Sequence, residues 1–162
     1  MKNRDAFAAD LTAVLRDAWG NHASADSSST VTAQLFDSTG SSVGAESAAV
    51  TAASGTVTFT GLSFNAAPAS GYQVKFKLVS NSATVTSNAF TINPGDATQL
   101  VIVRSPASVE ADSSTTKTGN VLPTQPIVKL LDQDNYLVTT ANSGAATIRI
   151  KSGRGGNLTE GV

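Results

Sequence analysis

The sequence predicts an all-β chain built from sandwich-type modules, and three observations predict it. Short segments alternate apolar and polar side chains at the two-residue period of a half-buried strand. Gly, Asn, Asp, Ser and Pro punctuate those segments at short intervals, as turns do. Only 14% of the 162 residues are charged, against about 25% in ordinary domains. Ser, Thr, Ala, Gly and many β-branched residues stand in their place, a mixture that favours strands and turns over helices.

The elements follow in order. Val31 to Phe36 reads as a strand and Asp37 to Gly40 as the turn after it. Ser54-Gly55 is a second turn, and Thr56 to Thr60 alternates with Val57 and Phe59 on one face. Pro68 to Gly71 reads as a loop. Tyr72 to Leu78 is the cleanest alternation: Tyr72, Val74, Phe76 and Leu78 face inward, while Gln73, Lys75 and Lys77 face water. Asn81-Ser82 turns the chain, and Thr84 to Ile92 is expected as one partner strand of a hairpin. Near the start, Phe7, Leu11, Val14, Leu15 and Ala18 fall at helical spacing with Asp5 as an N-cap. A strand over roughly 10–16 competes with that helix and is preferred, because the segment has a counterpart later in the chain.

That counterpart is an internal repeat. Leu11 to Asn21 (LTAVLRDAWGN) matches Ile127 to Asn135 (IVKLLDQDN): an apolar strand, an Asp, then a tight turn containing Asn. A Ser/Thr/Ala-rich loop and another strand follow each, Thr30 to Phe36 in the first and Ala146 to Lys151 in the second. The Asp-to-Asp offset is 132 − 17 = 115 residues, the span of one small module and its linker. Asn93-Pro94-Gly95-Asp96 marks the boundary, and the strand Gln99 to Val103 begins directly after it. The expected organisation is one nearly complete module at 1–93, a short linker at 94–97, and the front part of a second module at 98–162.

Composition excludes several function classes. The net charge of −1 leaves no basic footprint for nucleic acid or for a membrane surface. No apolar run approaches the roughly 20 residues of a membrane-spanning helix. Met1 to Arg4 is not followed by the apolar stretch of a signal peptide. The absence of cysteine excludes an inter-sheet disulfide, and one histidine without cysteine cannot form the usual structural zinc sets.

Thr56 to Phe64 (TVTFTGLSF), Gly71 to Phe76 (GYQVKF), Thr86 to Gly95 (TSNAFTINPG) and Ala97 to Ile102 (ATQLVI) carry a family likeness. They resemble the tandem immunoglobulin-like repeats of large microbial surface and adhesin-type proteins. The turns at Asp17 and Asp132 look like that family's turn after an inner strand. The resemblance covers the chain from about residue 9 and implies tandem immunoglobulin-like β-sandwich modules, the second incomplete. It further implies an extracellular or cell-surface setting and no catalysis, the chain acting as stalk, spacer or building block of an extracellular filament. The alternative it leaves open is an adhesive or carbohydrate-binding module, as an accessory to a secreted enzyme for instance. Expected partners are neighbouring repeats of the same or adjacent chains, or a host receptor or glycan, with no nucleic acid and no membrane insertion. The first copy lacks an equivalent of Gln99 to Val103, and the second lacks equivalents of residues 56–92. Either this is a window from a longer array, or strands of a neighbouring chain complete the modules.

Few side chains offer chemistry. His22, the single histidine, sits among serines with no nucleophile pattern and reads as a loop residue. Asp132, Asp134 and Asn135 carry alternating oxygens at the spacing of a calcium loop, with Asp112 and Asp96 as further candidates. The pattern lacks the Gly and terminal Glu of an EF-hand, and a turn whose Asp and Asn bond their own backbone is the competing reading. No other cofactor is expected. Trp19 is expected to cap the end of a sandwich core, with sugar stacking as the alternative. Arg149, Lys151 and Arg154 read as solvated charges, and Asn157 heads a glycosylation sequon relevant only in a eukaryotic secretory pathway.

Overall fold

The structure, a computed structural model, describes residues 1–105 and 124–139. Among them every strand pair is antiparallel and no helix forms. The strands are β1 (Leu11–Val14), β2 (Thr30–Phe36), β3 (Ser42–Val43), β4 (Val50–Thr51), β5 (Thr56–Phe59), β6 (Ala69–Leu78), β7 (Thr84–Thr86), β8 (Phe90–Ile92), β9 (Gln99–Arg104) and β10 (Ile127–Leu131).

The larger layer is organised on β2 and β6. Their register sets Val31 opposite Leu78, Ala33 opposite Phe76 and Leu35 opposite Val74. The small Ala33 leaves room for the Phe76 ring, and Val31, Ala33, Leu35, Val74 and Phe76 are all buried. The intervening residues lie on the outer face, where the Lys75 ammonium stands 3.8 Å from the Phe36 ring centroid and Lys77 pairs with Glu46. β3 and β4 add to β2, and β7 and β8 add to β6. The second layer is β1 with β5, which pairs Leu11 with Phe59 and Ala13 with Val57. Ala13, Val57 and Phe59 join the same core as the β2–β6 face. The Phe59 and Phe76 rings meet between the layers at 5.3 Å. The architecture is therefore all-β and sandwich-like.

The segment at 10–16 is strand and not helix: β5 offers a complete ladder to Leu11–Val14, and its alternation buries Ala13 while Thr12 and Val14 stay exposed. The expected single strand 84–92 is two strands. At the break, the Ser87 N–H donates to the Val74 carbonyl, and the Val74 N–H donates to Ser87 Oγ, both at 2.9 Å. A side-chain hydroxyl has replaced a main-chain partner, and the chain resumes as β8 against the first part of β6. The expected loop at 68–71 ends earlier, because Ala69 and Ser70 already pair with Ile92 and Thr91. Gly71 marks a register shift, not a loop: its φ of +87° lies in the region that side chains disfavour.

Residues 1–3 run parallel to the end of β8. Met1 N donates to Thr91 O, Asn93 N to Met1 O, and Asn3 N to Asn93 O. After Asn93 the chain enters β9, which pairs with β10 from Gln99 opposite Leu131 to Ile102 opposite Val128, with a bulge before Arg104. The strand expected at 146–151 lies outside the described residues.

Candidate functional site

The three turns that follow β1, β2 and β10 share one construction. In each, an Asp at the strand end accepts bonds at its Oδ1 from the backbone N–H groups two and four residues on. Asp17 serves Trp19 and Asn21, Asp37 serves Thr39 and Ser41, and Asp132 serves Asp134 and Tyr136, all at 2.8–2.9 Å. The fourth residue takes positive φ: Gly20 at 85°, Gly40 at 82° and Asn135 at 67°. Asn tolerates that conformation better than other non-glycine residues. The Asp17 and Asp132 turns match further at the 115-residue offset. Ala23 N donates to Leu15 O as Val138 N donates to Leu130 O, and the bridge between Arg16 and His22 matches that between Leu131 and Leu137.

The Asp132 turn differs from the others in being docked. Asp132 is only 1% exposed, and its Oδ2 accepts the Gly95 N–H at 2.8 Å. Asp134, two residues on, receives Arg4 Nε at 2.8 Å and Asn3 Nδ2 at 2.8 Å on Oδ2, and Arg4 Nη2 at 2.6 Å on Oδ1. Asn3 also accepts the Ala66 N–H through Oδ1, tying the contact to the sandwich. This paired guanidinium–carboxylate geometry is the stronger kind of ion pair. The Arg4 bond holds the Asp134 carboxyl below its ordinary range, and the same bond raises Arg4. Arg4 itself sits at φ +66°, a strained conformation for a long side chain. Lys2 and Asp96 add an exposed pair beside it, of the kind that contributes little to stability.

Asp132, Asp134 and Asn135, the residues read as calcium ligands, share one turn, and every carboxylate oxygen of the two Asp residues accepts an N–H donor. Among the described residues no group of three or more His, Cys, Asp or Glu side chains converges. Asn3 and Arg4 went unpredicted, because isolated polar residues carry no local signal for a contact made across about 130 residues, and Gly95 was read only as part of the boundary at 93–96. His22 is exposed beside Arg16. Trp19 is 85% exposed and does not cap the core. It occupies the same turn position as Asp134, but where Asp134 receives Asn3 and Arg4, Trp19 stands in solvent. Asp112, Arg149, Lys151, Arg154 and Asn157 lie outside the described residues. No protein family, characterised protein or solved structure matches the chain.

Proposed function

We propose that the chain is a non-enzymatic structural part of a large extracellular or cell-surface protein, made of immunoglobulin-like modules joined end to end. The observation that carries the reading is the docked turn. Asp132 and Asp134 fasten the second unit to Asn3 and Arg4 of the first and to Gly95 of the linker, through four hydrogen bonds that no catalytic or ligand-binding role requires. Junctions fixed in this way convert a string of domains into a stiff spacer, where unfastened linkers would leave them free to move. The strand order β7-β6-β2-β3 in one layer and β1-β5 in the other supports the immunoglobulin-like arrangement. The matching bonds of the Asp17 and Asp132 turns support tandem copies.

The pairing of the chain's first residues with the end of β8 supports it too. Because residues 1–3 run parallel to 91–93, tension entering at residue 1 and leaving beyond 93 shears their three backbone bonds together instead of opening them one by one. Pulling the chain between its ends in a single-molecule force experiment is expected to give a discrete unfolding event whose contour length fits residues 1–93. Smooth extension without such an event would overturn a mechanical role.

The exposed Trp19 favours a second reading, a carbohydrate-binding module, since an indole face open to solvent is what sugar stacking uses. It is the only tryptophan, so its fluorescence reports on the site alone. Saturable quenching or enhancement by soluble glycans would replace the spacer reading with this one.

A further inference from the structure

A groove of about 650 Å³ opens between the two layers, bordered by β1 on one side and β7 on the other. Leu11, Ala13, Leu15, Phe76, Leu78 and Val85 make its walls apolar. Among the described residues β1 pairs only with β5, and β7 only with β6, so each strand turns an unpaired edge toward the groove. A sandwich open at this place exposes main-chain donors and acceptors together with core side chains, the combination that recruits a further strand.

The chain carries a segment that fits. β9 presents four consecutive apolar side chains to solvent, with Leu100 62%, Val101 41%, Ile102 63% and Val103 51% exposed. Its outer edge is unpaired among the described residues, since its only partner is β10. Leu100 and Ile102 lie on one face and Val101 and Val103 on the other, so either register sends two apolar side chains into the groove. The lengths agree: β9 has six residues, about 20 Å at strand rise, and β1 with Leu15 and Arg16 is equally long. The charges agree at one end, where antiparallel addition sets Arg104 beside Asp10. The β9–β10 pair shows the same association already made once, because β10 ends in the same Asp turn as β1.

We propose that β9 of one copy adds to the free edge of β1 in a second copy, filling the groove between β1 and β7 and linking copies head to tail. Donor and acceptor surfaces are different, so the contact is heterologous and propagates unless it closes into a ring. It uses a different surface from the Asp134 docking contact, and either can fail without the other.

The test uses the full chain and its mass in solution by sedimentation velocity across a concentration series. The unmodified protein is expected to form concentration-dependent oligomers. An acceptor-blocked variant, Val85→Arg, and a donor-blocked variant, Leu100→Arg with Val101→Arg, change exposed residues and are each expected to weaken association by about thirtyfold or more, as loss of a buried anchor does. Mixing the two variants leaves one intact donor and one intact acceptor and is expected to yield 1:1 dimers and nothing larger. That result also shows both variants to be folded. A monomeric unmodified chain at every concentration would overturn the proposal. So would undiminished oligomers of Val85→Arg, which would mean that β9 edges pair with each other.

Discussion

Replacing Asp132 separates the turn from the junction, because one carboxylate serves both. Oδ1 holds the Asp134 and Tyr136 amides and Oδ2 holds Gly95, at 2.8–2.9 Å, in a side chain only 1% exposed. Asp132→Ala leaves three N–H groups without their acceptor. At about 1 kcal/mol for each donor, since all three are near enough to solvent to recover part of their hydration, the loss is about 3 kcal/mol. Asp132→Asn keeps one oxygen and turns an amide NH₂ toward whichever donor it does not serve, so it holds the turn or Gly95 but not both. Its cost is about 1–2 kcal/mol. Amide hydrogen exchange resolves the two effects: Asp132→Ala is expected to speed exchange at Gly95, Asp134 and Tyr136, while the amides of β2 and β6 keep their protection. The matched control is Asp17→Ala, in an exposed turn that docks on no other segment among the described residues, where the acceleration is confined to Trp19 and Asn21. Unchanged protection at Gly95 in both Asp132 variants would refute the reasoning.

Other expectations follow from the same contacts. Phe76→Ala removes a ring packed on Phe59 and should lower stability by about 3–5 kcal/mol in chemical denaturation, whereas Lys75→Ala gives up its contact with Phe36 and should cost about 0.5–1 kcal/mol; equal costs would mean that the β6 register is wrong. Acid should destabilise the fold: Asp26, held by Ser29 and Ser28, has its carboxyl lowered from 3.8 to about 2, and Asp17, Asp37 and Asp134 are lowered in the same direction. Depressed carboxyls contribute stability that is complete above the unfolded value and lost as pH falls through the folded one, so the melting temperature should drop between about pH 4 and pH 2, less steeply in Asp26→Asn. A melting temperature independent of pH across that window would contradict it. Excess calcium should leave the melting temperature where a chelator leaves it, because a cation at Asp134 would have to displace Arg4; a rise abolished by Asp134→Asn would place calcium there instead.

The strands that carry the core were legible because they alternate. Val57 and Phe59, and Tyr72, Val74 and Phe76, are buried as their period demands. The Asp turns were legible as Asp followed by Gly or Asn at fixed distance. What was lost depends on single side chains acting across the fold. Ser87 breaks the 84–92 strand by offering its hydroxyl to Val74, and the sequence holds many serines that do nothing of the kind. Gly71 was read as part of a loop, though it marks a register shift inside β6. The candidate site was half legible: Asp132 and Asp134 stood out by spacing and Gly95 only as part of a boundary, but their partners Asn3 and Arg4 lie about 130 residues off and belong to no pattern. Trp19 was assigned to the core on residue type, whereas the turn that holds it points outward.

A fastened junction makes one demand that a loose one cannot meet: the parts must tumble together. Amide ¹⁵N relaxation on the full chain, at a concentration low enough to keep it monomeric, measures this directly. Residues 1–93 and the β9–β10 residues 97–105 and 124–139 should report one shared rotational correlation time and axis, and Asp134→Ala should separate them. Two independent correlation times in the unmodified chain would contradict a rigid spacer joined through Asp132 and Asp134.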